Sequence, residues 1–142
     1  MRSENLHQIL RESMQELRQA VAHLEYSYDK ARILTREKDR LDEESLETWE
    51  GFVSRFGRVS DLFLKKYLRT KILIADPGFR GELIDVLNTA EKMNLISSAS
   101  QWYEVRQLRN FSVHEYAGAK FTGTISRMFE LAPILIQTKN AT

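Results

Sequence analysis

Along the first part of the chain the apolar positions Leu10, Met14, Leu17, Val21, Leu24 and Tyr28 alternate spacings of four and three. That pattern is the seam of a helix lying nearly parallel or antiparallel to a neighbour, and it predicts a first helix from about residue 4. The seam fades into "DKARILTREKDRLDEES", a charge-dense stretch that reads as a solvated helix end and a connection. A second helix is predicted to start after Asp42 or Ser45, with acidic residues in its first turn, where the helix dipole favours them. Trp49, Phe52, Val53, Phe56, Val59, Phe63 and Tyr67 repeat along it at helical spacing, so an aromatic-rich stripe points to one side. Gly51 and Gly57 each cost that helix about 1 kcal/mol relative to alanine, and so mark places where a neighbour comes close.

"ADPGF" at 75–79 is the clearest break, because proline followed by glycine favours a turn. A third helix follows, with Leu83, Val86, Leu87, Ala90 and Met93 as its apolar stripe and Asn94 placed as a left-handed C-terminal cap. Ser98 with Gln101 three residues on forms a capping-box pattern. A fourth helix is therefore predicted to run from there through Trp102, Val105 and Leu108 into "LRNFSVHEYAG", with Gly118 near its end. A last helix from about Phe121 carries Ile125, Met128, Phe129 and Ala132, and Pro133 is expected to kink or finish it. No segment shows sustained alternation of period two, and no repeat is present. The prediction is all-α, one domain, an up-and-down bundle of four to five helices.

Composition narrows the function classes. The chain has 142 residues, enough to bury a core without staples. Lysine and arginine exceed aspartate and glutamate by one charge, which excludes a surface that wraps long duplex nucleic acid but leaves room for a local basic pocket. Cysteine is absent, so neither disulfides nor thiolate metal sites can form. His7 and His23 show no metal-like clustering, and no metal or cofactor is expected. Charge from residue 2 onward and the lack of a long apolar run predict no membrane span and a soluble, cytoplasmic protein.

The polar chemistry concentrates at residues 108–118. At about 100° per residue, a continuous helix would place Trp102, Val105, Arg109, Ser112 and Tyr116 on one side, and Tyr103, Gln107, Phe111 and His114 on another. An arginine in an apolar row needs a carboxylate partner or a wet cleft. Asp61 and Glu115 are the carboxylates considered for orienting Arg109 and His114 respectively. The bland alternative makes Arg109 a snorkelling or paired side chain, His114 a satisfied helix-end histidine and Tyr116 a core residue.

"RNFSVHEY" resembles the Arg-x4-His-x-Tyr motif of HEPN-domain proteins. The longer "SQWYEVRQLRNFSVHEY" is similar to the subfamily of HepT-like toxins, also described as nucleotidyltransferase substrate-binding proteins. The likeness extends to the aromatic-rich second helix, the approach "AEKMNLISSASQWYEVR" and the helix after the motif. What the resemblance implies is a helical bundle that forms a homodimer, so that two motifs meet in a cleft. It further implies a metal-independent endoribonuclease toxin, neutralised by a separately encoded minimal nucleotidyltransferase that transfers AMP to the motif tyrosine. Carried over by position, Arg109 and His114 are catalytic, Asn110 and Tyr116 contact RNA or nucleotide substrate, and Tyr116 is the residue that receives AMP.

The chemistry suits these side chains. RNA carries its own nucleophile, the 2′-hydroxyl, so cleavage needs a proton acceptor and a cation near the phosphate. An imidazole exchanges its proton near neutral pH, and a forked guanidinium matches phosphate oxygens. On a straight helix Arg109 and His114 diverge by about 140°, so a two-fold dimer or a local break in the helix is required to bring them around one phosphate. Arg106, Lys120 and Arg127 are further basic residues that either widen the positive footprint or are ordinary solvated charges. Two other readings use the same fold: a non-catalytic nucleotide-binding or substrate-binding subunit of a two-component nucleotidyltransferase, and a helical interaction protein.

Overall fold

In the computed structural model, which describes residues 2–142 and side chains from residue 4 onward, the chain folds into helices with no strand among the described residues. The first helix, α1 (Arg2–Ala31), lies along α2 (Glu43–Asp61). Asp42 caps α2, its Oδ1 accepting the Ser45 amide at 2.8 Å, so the first of the two expected caps is used. After Asp61 the helix continues without a break through a π-helical stretch, Leu62–Leu68, into α3 (Arg69–Ala75). That wider winding is absent from any 3.6-residue reading of the sequence; stretches of this kind recur beside functional sites.

The Pro77–Gly78 turn leads to α4 (Leu83–Lys92), which ends as expected: Asn94 adopts φ 60°. The amides of Asn94 and Leu95 reach back to the carbonyls of Glu91 and Ala90 at 3.1 and 2.9 Å, closing the helix end. Ser98 caps α5 (Ala99–Leu108), with its hydroxyl accepting the Gln101 amide at 3.2 Å. The final helix, α6 (Gly118–Ile136), carries Pro133 inside it and continues into a 3-10 turn, Gln137–Asn140, so the proline does not finish the helix.

The aromatic stripe of α2 is core along its whole length. Trp49, Phe52 and Phe56 are fully buried, and Phe129 of α6 meets Trp49 and Phe52 at ring separations of 6.1 and 5.9 Å. Farther along, Phe63 stacks on Trp102 of α5 at 4.6 Å. These contacts lock α2 against α5 and α6, and so fix the wall on which the polar groups of α2 stand.

Two expectations need correction. The fourth helix does not run through the motif: it stops at Leu108, residues 109–117 form a loop, and Gly118 opens α6 rather than closing α5. Gly118 has φ +56° at that entry, a backbone angle that favours glycine. The connection between α1 and α2 is also more than a solvated tail. The Trp49 indole donates to the Thr35 carbonyl at 3.0 Å, the Thr122 hydroxyl donates to the Arg36 carbonyl at 2.8 Å, and the Arg36 guanidinium lies 4.8 Å from the Phe129 ring centre. The charges along this segment conceal contacts that only the folded partners reveal.

Candidate functional site

Residues 109–117 leave helical geometry because two neighbouring demands cannot be met on one helix face. Phe111 and Val113 are both buried, with Ser112 partly exposed between them and His114 exposed beyond. That two-residue alternation belongs to extended chain. Local groups supply the hydrogen bonds that the helix gives up. The Phe111 amide turns back to the Leu108 carbonyl at 2.9 Å, the Ser112 hydroxyl accepts the His114 amide at 3.3 Å, and the Glu115 amide reaches the Ser112 carbonyl at 3.2 Å. The Phe111 ring stacks on Tyr116 at 5.1 Å with planes 8° apart and meets Phe121 at 6.0 Å. On the far side the Lys38 ammonium donates to the Tyr116 carbonyl at 2.6 Å, tying the α1–α2 connection to the loop.

The break aims the motif at α2. Arg109 donates from Nε to Asp61 Oδ1 at 2.6 Å and from Nη2 to Asp61 Oδ2 at 2.5 Å, a two-point fork. A third donor, on Nη1, goes to the Asn110 side-chain oxygen at 3.2 Å. Of the two candidate carboxylates left open by the sequence, Asp61 is the one that meets Arg109. The hydrogen bond from Arg109 is the main reason the Asp61 carboxyl lies below its ordinary value of 3.8, with burial acting in the opposite direction. Reciprocally, Arg109 is held in its protonated form.

His114 meets a different carboxylate from the one considered. Its Nε2 is 3.1 Å from Glu50 Oε1 on α2, while Glu115 forms no ion pair with it. The reason is the loop: away from a helix, His114 reaches across to α2 instead of along its own element. A carboxylate at Nε2 favours the proton on that nitrogen and leaves Nδ1 as the basic atom.

Arg109 and His114 thus open into one groove of about 410 Å³ between α2 and the motif loop. Its α2 wall carries Glu50, Ser54, Gly57, Arg58 and Asp61, and its floor includes Val53, Phe111 and Val113. A Cβ on Gly57 would stand 3.5 Å from Arg109 Cγ and one on Gly51 3.9 Å from the Ser27 hydroxyl oxygen, both ordinary van der Waals separations, so neither glycine is required by the close approach expected from the sequence. The remaining motif residues lie elsewhere. Tyr116 is half-buried on the reverse side of Phe111, under the Lys120 ammonium at 4.6 Å, and does not line the groove. Asn110 is exposed and engages Arg109.

Of the other basic residues, Arg127 is taken up by Glu104, at 2.6 and 2.8 Å, and by Glu130, so it belongs to the α5–α6 contact. Lys120 covers Tyr116. Among the described residues no cluster of three or more metal-ligating side chains occurs, and no helix is long and apolar enough to cross a membrane.

Sequence reasoning missed Glu50, Ser54 and Arg58. Their signal is in the sequence: 50, 54, 57, 58 and 61 recur at helical spacing as a non-aromatic stripe on α2, beside the aromatic one. A comparison of this chain with protein-family models, curated proteins and solved structures finds no match.

Proposed function

We propose that the protein is a metal-independent endoribonuclease of the HEPN type, acting as a homodimeric toxin that a minimal nucleotidyltransferase neutralises by transferring AMP to Tyr116. The observation that carries this reading is the shared groove, in which the Arg109 guanidinium and the His114 imidazole face one space of about 410 Å³. That volume suits a ligand the size of a single nucleotide unit. An unpaired strand therefore suits it better than a duplex, in keeping with the nearly neutral chain.

The step balances without a metal. His114 accepts the 2′-hydroxyl proton at Nδ1 while Glu50 stabilises the imidazolium that forms; the 2′-oxygen attacks phosphorus, and the bond from phosphorus to the 5′-oxygen breaks. The N–H donors of Arg109 not committed to Asp61 and Asn110 take the charge that grows on the phosphate oxygens. In a two-fold dimer the imidazole of the second copy protonates the leaving 5′-oxygen, and the products are a 2′,3′-cyclic phosphate and a 5′-hydroxyl. Addition of AMP to Tyr116 acts from behind Phe111, whose ring forms part of the groove floor, and places bulk and negative charge beside the loop.

A second reading has one observation in its favour. Asp61 occupies two donors of Arg109 and Glu50 occupies Nε2 of His114, an arrangement that equally suits a subunit holding a nucleotide for a partner enzyme. Incubating wild type and His114→Ala with unstructured RNA in chelator separates the two. Cleavage by wild type alone, with cyclic-phosphate ends, is the expected result, whereas intact RNA in both reactions favours the binding subunit. For the partnership, the nucleotidyltransferase with ATP is expected to add the mass of one AMP to wild type and none to Tyr116→Phe.

A further inference from the structure

We propose that Arg58, which no motif singles out, is the groove's phosphate anchor: the guanidinium that first captures the substrate and holds it while Arg109 stays with Asp61. This rests on the reading of the groove as a phosphate site. Four ionisable groups of the groove are already matched, Arg109 with Asp61 and His114 with Glu50. Arg58 stands on the same wall, exposed, with no ion pair, hydrogen bond or ring contact among the described residues.

Helix geometry explains why it is free. Within its own helix the positions three and four residues away are Arg55, Ser54, Asp61 and Leu62. Asp61 is the one carboxylate among them, and both of its oxygens are taken by Arg109, with Lys65 a further cation 3.8 Å away. Arg58 is therefore a positive charge with five unused donors at the mouth of a groove whose negative charges are spoken for. An entering phosphate meets in Arg58 a guanidinium that no protein carboxylate shares, while Arg109 offers only the donors left over from Asp61 and Asn110. The anchor takes a phosphodiester through a bidentate contact that an ammonium reproduces in charge but not in shape.

The test uses a short single-stranded oligoribonucleotide with 2′-O-methyl groups, which the groove can bind but cannot cleave, titrated against the intact protein over a range of salt concentrations. Arg58→Gln is expected to weaken binding about tenfold. It is also expected to make the dependence of log affinity on log salt shallower by about 0.7, the loss of one phosphate contact on a single strand. Arg58→Lys is expected to restore the salt slope while recovering only part of the affinity. With cleavable RNA, Arg58→Gln raises KM and leaves kcat nearly unchanged, the reverse of His114→Ala. Equal affinity and slope in wild type and Arg58→Gln would overturn the anchor and leave the ribonuclease reading standing. A lysine variant no better than glutamine in slope would overturn an anchor acting through charge. Wild-type protein that fails to bind the oligonucleotide at low salt would overturn both.

Discussion

The two ends of α5 are made in different ways. At its start, Ser98 caps the helix with its own hydroxyl and Asn94 has just closed the preceding helix in the left-handed conformation; both events involve residues within a few positions of each other. At its finish, the helix stops in mid-motif because Phe111 must reach Phe121 and Tyr116, Val113 must be buried, and Arg109 must meet Asp61, which lies 48 residues away in the chain. The first junction is a matter of local chemistry. The second is imposed by tertiary contacts, and it is the second that builds the groove.

The largest effect on this contrast comes from removing the loop's anchor. Phe111→Ala deletes a buried ring that joins Tyr116 to Phe121, and is expected to cost about 3 kcal/mol in urea unfolding, with the motif loop losing amide protection ahead of α5. An unchanged midpoint would show that the break in the helix has a local origin. Next comes Asp61→Asn, expected to cost about 1 kcal/mol near neutral pH, a figure reduced because both partners are about one-third exposed.

That substitution also has a pH signature. The Asp61 carboxyl titrates below its ordinary value of 3.8, so its contribution is complete above that value and disappears as pH falls through the lower, folded-state value. Asp61→Asn is expected to remove this part of the acid limb from a stability-versus-pH curve and to leave the curve's shape above pH 5 unchanged. At the opposite end of α5, Ser98→Ala is expected to cost about 1 kcal/mol in the same unfolding experiment, without disturbing the motif loop. Smallest of all is Asn94→Gly, expected to change stability by less than about 0.5 kcal/mol, because glycine also adopts a φ of 60°.

The same division governs what could be read from the residues alone. The starts of α2 and α5 at the Asp42 and Ser98 caps, the aromatic face of α2 and the left-handed Asn94 were legible, since each depends on side chains within about one helical turn. Of the two outcomes expected at Pro133, a kink or an end, the helix does not end there: α6 runs on to Ile136, and its packing through Ala132 and Leu135 tolerates a missing amide near the last turn. The loop at 109–117 was misread as helix for a different reason. Arg109, Ser112 and Tyr116 happen to share helical spacing, and nothing nearby states that Phe111 and Val113 are both claimed by the interior. The π-helical stretch after Asp61 was likewise hidden, because a 3.6-residue periodicity carries no trace of a wider winding.

At the site, the sequence left open which carboxylate, if any, meets Arg109 or His114; Asp61 meets Arg109, and Glu50 rather than Glu115 meets His114 once the helix gives way. The break also changes the geometric problem. On a straight helix the guanidinium and the imidazole would diverge, and a second copy would be needed merely to bring them near each other; as folded, one chain presents both to the same groove. In the proposed dimer the second copy then supplies the acid for the leaving oxygen rather than rescuing the alignment of the first.

The most direct measurement is an NMR titration that follows the Arg109 Nε–H and the His114 ring protons together while a 2′-O-methyl dinucleotide is added. Two groups facing one phosphodiester should shift with a common midpoint, and both responses should weaken together in Arg58→Gln. A His114 signal that moves while Arg109 stays still, or midpoints that differ severalfold, would contradict a shared groove acting on a single phosphate.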